Sequence, residues 1–386
     1  MKSIRGGKII TGRTWIEGMA LLFDARIRDI LPERELPPEV ETLDADGAWI
    51  VPGFVDIHVH GICGMDTMDG EAHSLETIAE GLAAHGVTAF CPTTMTMDQA
   101  RIDAALEAVE AAKSAAPGGA RVLGAHLEGP YISPSRLGAQ DGAHVLRPDP
   151  GFVRRRSSSL SLVSFAPEED SDGRFLEALR EEGIVASLGH SQATYEQAMT
   201  AFRNGARSVT HLFNGMPPFH HRTPGLAGAA LDADVFCELI ADGVHSHPAV
   251  FRLLLKMKGV ENIILVSDAM RGACLGEGKW DLGGQKVTVY GPQATLADGT
   301  LAGSVLTLDL AMRNYASATG LPLWEASRLV SENPARLLGD RERGRIEPGY
   351  RADFVLLDER WRVLKTFVEG KEVFDSHENR DCKFSS

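Results

Sequence analysis

A chain of 386 residues exceeds one small domain and fits a large barrel with an appendage. Its formal charge of −14 argues against nucleic acid or an anionic membrane as partner, and an anionic substrate would have to be met by local cations. No apolar stretch approaches the ~18 residues of a membrane span, and Met1 to Gly7 has no apolar signal core behind it, so a cytoplasmic location is expected.

From Lys8 to Val51 short alternating runs are broken by turn residues, and 20–23 with 26–30 predicts a hairpin. The stretch 344–374 has the same texture, with strands expected over 353–357 and 363–368 around a Glu369-Gly370 turn. Neither flank alone can bury a core, so together they predict one small β-sandwich domain built from both chain ends, 1–52 with 344–378. Residues 379–386 form a polar tail.

Between the flanks, strand-like and helix-like segments alternate over 53–343. Strands are expected at 54–58, 87–91, 122–127, 162–166, 184–188, 208–210, 236–240 and 263–266. Helices with apolar spacing of three and four are expected at 74–84, 100–115, 175–182, 194–204 and 248–258. Eight parallel strands with crossover helices make an α/β fold of the (β/α)8 TIM-like barrel kind, although a doubly wound sheet shows the same alternation. A Gly-rich insertion, 281–303, follows the eighth strand and is expected to hold a hairpin, with a helix from about Thr307.

Barrel sites form at the C-terminal ends of the strands. Read in order, those ends give His58 and His60, Glu128, His190, His211, His245 and Asp268. A single strand-end histidine is usually hydrogen-bonded scaffolding, and Glu128 before Gly129-Pro130 can be a turn cap. So many coincidences are not independent accidents. His58-Val-His60 puts two imidazoles on one side of an extended segment, which suits zinc or another borderline divalent ion. Asp268 is the candidate for both metal ligation and proton transfer.

Pro52-Gly-Phe-Val-Asp-Ile-His-Val-His-Gly61 resembles the first-strand signature of the amidohydrolase superfamily. His126-Leu-Glu-Gly-Pro-Tyr131, Gly189-His-Ser191, Thr210-His-Leu-Phe-Asn-Gly-Met216, Pro224-Gly-Leu-Ala-Gly228, Ala241-Asp-Gly-Val-His245 and Ser267-Asp-Ala-Met270 resemble the N-acetylglucosamine-6-phosphate deacetylase family, in the same order through nearly the whole chain. The resemblance implies a metal site on Glu128, His190 and His211. Retention of His58 and His60 allows a second ion, with Glu128 bridging and Asp268 on that ion, so one or two divalent metals are expected. Zinc is favoured over iron, manganese or cobalt. The implied substrate contacts are Ala139, Gln140, Asn214, Gly215, Arg222, His245, Leu301, Ala302 and Gly303.

Gln140 departs from part of the family, where a histidine helps polarise the acetyl carbonyl; an amide can donate N–H there but carries no proton or charge. Arg222 alone reads as a surface arginine, yet its guanidinium fork suits phosphate, and the resemblance implies that it reaches into the neighbouring subunit's site of a homodimer. The expected reaction is hydrolysis of the N-acetyl amide of N-acetylglucosamine 6-phosphate, with Asp268 taking the water proton and returning it to the leaving amine. The rivals are the galacto epimer, another amide, or a catalytically dead barrel used as a binding module. The five cysteines, Cys63, Cys91, Cys237, Cys274 and Cys382, form no Cys-x-x-Cys pair and are read as reduced structural thiols. His73, His85, His144, His220, His221 and His247 are also read as structural.

Overall fold

The computed structural model describes residues 1–115 and 118–378, so the expected tail and Cys382 lie outside the described residues. Two apolar-faced sheets form the small β domain. One has the order Ile27–Pro32, Met19–Phe23, Lys2–Arg5, Glu41–Asp44. The other runs Lys371–Asp375, Val363–Val368, Phe354–Leu357, Trp49–Pro52, Lys8–Thr11, Thr14–Ile16. The chain ends meet where Phe354–Leu357 pairs antiparallel with Trp49–Pro52, Phe354 opposite Pro52. Between the sheets Ile4, Leu21, Phe23, Ile50, Phe354 and Phe367 share one buried cluster. Phe23 meets Phe354 edge-on at 5.1 Å, and Phe354 stacks on Phe367 at 4.7 Å.

The remainder is a barrel of parallel strands. Phe54–Val59 pairs with Val87–Pro92, which pairs with Arg121–Val122. A second parallel run joins Ala125–Glu128, Leu160–Phe165, Val185–Leu188, Ser208–Val209, Phe236–Ile240 and Ile263–Val266. The runs meet at a Thr93–His126 bridge, and the ring closes where Asp268 N–H donates to His58 C=O (2.9 Å) and His60 N–H to Ala269 C=O (2.9 Å). The third strand, expected unbroken over 122–127, is interrupted at Leu123-Gly124. Gly124 turns through φ +131°, and a Cβ there would come within 2.4 Å of Ser161 Oγ, so only glycine permits the close approach.

The expected crossover helices appear at Ala72–Ala83, Gln99–Lys113, Arg174–Glu181, Tyr195–Arg203 and Pro248–Lys258. Thr194 and Gln197 form a reciprocal capping box that fixes where Tyr195–Arg203 begins. The insertion holds three antiparallel strands rather than one hairpin: Gly278–Leu282, Gln285–Tyr290 and Gln293–Thr295. It is followed by the helix Leu308–Thr319. Among the described residues no helix is long and apolar enough to cross a membrane.

Candidate active site

Inside the barrel, buried polar side chains satisfy one another below the mouth. His126 Nε2 lies 2.7 Å from Ser164 Oγ, and Ser164 and Ser187 both hydrogen-bond the Thr210 hydroxyl. Above this layer six side chains converge. His58, His60 and Asp268 form one group of potential ligand atoms, and Glu128, His190 and His211 form another. Glu128 lies between them. Its Oε1 is 3.0 Å from His211 Nε2, 3.1 Å from His190 Nε2 and 3.4 Å from His58 Nε2, while its Oε2 is 3.4 Å from His60 Nε2. Asp268 Oδ1 lies 3.2 Å from His60 Nε2. His190, His211 and Asp268 all have left-handed backbone, at φ 46°, 29° and 48°. Non-glycine residues hold such conformations at about 1–3 kcal/mol each, where the surroundings over-determine them.

Which nitrogen faces the centre is set from behind. The Nδ1 atoms of His58, His60 and His190 are committed to Glu238 Oε2 (3.1 Å), Thr93 C=O (3.2 Å) and Arg136 C=O (2.8 Å). Each acceptor requires Nδ1–H, so Nε2 is the nitrogen each ring turns toward the centre. The His58 Nε2 atom is buried with no hydrogen-bond partner, and His190 and His211 bring their Nε2 atoms to 3.1 Å of each other. Inward Nε2 atoms with two carboxylates are a donor set for a divalent cation once the imidazoles give up their protons, and the residues fit one.

The charges point the same way. Burial opposes the cationic form of His58 and His60, but Glu128 and Asp268 outweigh it, holding His58 well above its ordinary value and His60 up to about 9. Burial likewise opposes the carboxylates, yet the imidazoles keep Glu128 well below the usual range and Asp268 down to about 2. A divalent cation takes over the compensating charge of those protons, so its binding is linked to their release.

A cavity of about 220 Å³ opens over the cluster. Of the expected substrate contacts, Ala139, Gln140, Asn214, Gly215, His245, Leu301 and Gly303 line it. Ala302 does not: it is fully buried and gives its N–H to Ala294 C=O. Arg222 is not brought to this cavity within the chain; it sits exposed, its Nη1 2.9 Å from His221 Nε2. Gln140 has a definite amide orientation, because Oε1 accepts Thr96 N–H (2.6 Å) and Nε2 donates to Glu128 Oε2 (2.8 Å). The insertion carries Leu282, Thr300 and Leu301 to the cavity wall.

Sequence reasoning missed Glu238 and Asp242. Glu238 is a fully buried carboxylate in the apolar strand Phe236–Ile240, and it also accepts the His211 N–H (3.3 Å). Its position among apolar neighbours was the available signal. Asp242 Oδ2 lies 2.7 Å from His245 Nδ1, and Oδ1 accepts the N–H groups of Val244 and His245. Burial works against a charged His245, but Asp242 raises it overall.

The amidohydrolase family model matches residues 49–373. The chain is 38% identical to an N-acetylglucosamine-6-phosphate deacetylase of Bacillus subtilis, over 92% of each chain. It is 35% identical to an N-acetylgalactosamine-6-phosphate deacetylase of Escherichia coli O157:H7, covering 95% of this chain and 98% of that one. A deacetylase variant from Mycobacterium smegmatis, solved in complex with N-acetyl-D-glucosamine-6-phosphate, superposes with a TM-score of 0.88 at 31% identity, covering 96% of this chain and 99% of that one. The chain belongs to the amidohydrolase family and, within it, to the N-acetylglucosamine-6-phosphate deacetylase family.

Proposed function

We propose that this chain hydrolyses the N-acetyl amide of N-acetylglucosamine 6-phosphate to glucosamine 6-phosphate and acetate, in amino-sugar catabolism or recycling. The observation that carries the reading is that His58, His60 and His190, each with Nδ1 held by an outer acceptor, turn Nε2 toward Glu128 and Asp268 at a cavity, in a chain of this family. A divalent cation held by those imidazoles and carboxylates would supply Lewis acidity toward the acetyl carbonyl and the attacking water. Mixed imidazole and carboxylate donors favour zinc, and iron, manganese and cobalt accept them too. The two three-residue groups around Glu128 accommodate one ion or two.

The protein side chains then do the rest. Asp268 takes the proton of the attacking water and returns it to the departing nitrogen, because an amide nitrogen leaves as neutral amine. Gln140, held by Thr96 N–H at Oε1, supports Glu128 with one Nε2 hydrogen and offers the other, which faces Met95 Sδ at 3.5 Å, to the developing oxyanion. Ala139, Asn214, Gly215 and the 301–303 segment seat the sugar, with Ala302 acting through the backbone it supports. His245, oriented by Asp242, meets the phosphate, and Arg222 of a second copy completes that site in a homodimer. Local cations thus serve an anionic substrate despite the overall charge of −14. The cytoplasm is where such a phosphorylated sugar is retained by its charge.

Acetate release from N-acetylglucosamine 6-phosphate, its galacto epimer and the unphosphorylated sugar tests this reading. Turnover should be confined to the phosphorylated sugars and be faster for the gluco form. Faster turnover of the galacto form would move the assignment to the specificity named for the Escherichia coli relative. No turnover of any substrate with metal supplied would overturn it.

A further inference from the structure

A second titratable cluster lies outside the metal donors. Cys63 follows the first barrel strand, and Cys274 follows the eighth. Their segments are joined by backbone bonds from Cys63 N–H to Ala273 C=O (3.1 Å) and from Gly64 N–H to Arg271 C=O (2.7 Å). Cys274 Sγ lies 3.2 Å from His85 Nε2, His85 Nδ1 lies 3.1 Å from Asp309 Oδ1, and Arg313 holds the other Asp309 oxygen at 2.9 Å. The Cys63 and Cys274 side chains lie within interacting range of each other across this joint. Gly81 leaves the space that the Cys63 sulfur occupies, since a Cβ there would come within 2.9 Å of Sγ. Both cysteines are half-buried and both have left-handed backbone, at φ 56° and 66°. A structural thiol needs none of this arrangement.

We propose that Cys63 and Cys274 form a peroxide-oxidisable dithiol, a modification site in which His85, oriented by Asp309, supports a Cys63 thiolate through the Cys274 thiol. It departs from the sequence reading of Cys63 and His85 as structural residues.

The electrostatics agree with the geometry. The neighbouring Cys274 thiol holds the Cys63 thiol below its ordinary value, and Cys63 in turn pushes Cys274 up. Burial opposes a charged His85, but Asp309 and Cys274 raise it to about 10. The remaining described thiols behave otherwise: burial raises both Cys91 and Cys237, the latter to about 11. In the first step the Cys63 thiolate attacks one oxygen of hydrogen peroxide. The O–O bond breaks, the released hydroxide takes a proton from solvent, and Cys63 becomes a sulfenic acid. Cys274 sulfur then attacks the Cys63 sulfur. The S–S bond forms, the S–O bond breaks, and the hydroxyl leaves as water with the Cys274 proton. Two electrons pass from the thiols to peroxide. The crosslink ties together the segments that follow His60 and Asp268.

The experiment uses full-length, zinc-loaded protein carrying Cys382→Ser, exposed to hydrogen peroxide, with thiol titration and mass mapping of alkylated peptides. The expected result is loss of two thiols per chain as one Cys63–Cys274 crosslink, reversed by a dithiol reductant, with Cys91 and Cys237 intact. Cys274→Ser should stop at a Cys63 sulfenic acid trapped by dimedone. Asp309→Asn should slow Cys63 oxidation about tenfold, because a less well supported thiolate is a smaller fraction of the thiol. Should Asp309→Asn fail to fold, the Cys274→Ser arm stands alone, since it removes no buried charge. Oxidation of Cys63 no faster than of Cys91, thiol loss without that crosslink, or no trapped sulfenic acid in Cys274→Ser would each overturn the proposal. Acetate release is not the readout, so failure here leaves the deacetylase reading untouched.

Discussion

Glu238 Oε2 lies 3.1 Å from His58 Nδ1, and both side chains are fully buried inside the barrel. The carboxylate fixes the His58 tautomer and also accepts the N–H of His211, so one side chain orients two candidate ligands. Glu238→Gln keeps the size and removes the charge. Metal affinity should fall about 10–100-fold, the usual cost of losing such a support behind a ligand. Metal titration of the folded variant checks this, and an unchanged affinity would contradict it.

Asp268 should be felt in turnover more than in binding. Asp268→Asn removes the proton acceptor, and a positioned acid–base group is worth about 10²–10⁴ in rate. The expected result is a fall of that size in kcat with KM little changed. Steady-state kinetics on metal-loaded protein measure the split, and a pure KM effect would assign Asp268 to substrate binding instead.

Gly215 presses on a ligand from outside. Its φ is +61°, and a Cβ there would stand 3.0 Å from His190 Nδ1, the atom bound to Arg136 C=O. Gly215→Ala therefore meets both backbone strain and a displaced imidazole. Stability should fall by about 1 kcal/mol or more, and metal retention should weaken with it. Thermal unfolding with and without added metal reads both effects.

The parts legible in the sequence were those whose periodicity or position carried the signal. The apolar strands with His58, Glu128, His190, His211 and Asp268 at their C-terminal ends could be read because barrel chemistry occurs at one face. The pairing of chain ends followed from flanks too short to bury Phe23 or Phe354 alone. Glu238 escaped because a single sequence does not say which strand face lines the interior, where a carboxylate finds buried partners. The gap at Gly124 depends on how closely Ser161 approaches, and the third strand of the insertion depends on pairing between Thr288 and Thr295. Both are tertiary facts. The link between Cys63 and Cys274 spans segments far apart in the chain that only barrel closure brings together.

The His85–Asp309 pair makes stability pH-dependent. His85 is raised to about 10 in the fold, so its contribution is fully present below its unfolded value of ~6.5 and is lost as pH rises toward 10. Asp309 is lowered: burial opposes its charge, but His85 and Arg313 prevail. Its contribution is present above ~4 and is lost on acidification through its depressed folded value. Asp309→Asn should therefore be most destabilising between about pH 4 and 6.5, with a deficit that narrows toward pH 10. Denaturant unfolding of both proteins across that range checks the sign, and a deficit independent of pH would contradict it.

Metal dependence at the Glu128 cluster is measured by acetate release from N-acetylglucosamine 6-phosphate before chelation, after chelation, and after metal is restored, in the unaltered protein and in Glu128→Gln. Chelator-sensitive turnover that returns with metal is expected in the unaltered protein, and almost none in the variant under any condition. Turnover that survives complete metal removal, or that persists in Glu128→Gln, would contradict a metal-dependent reaction at this cluster.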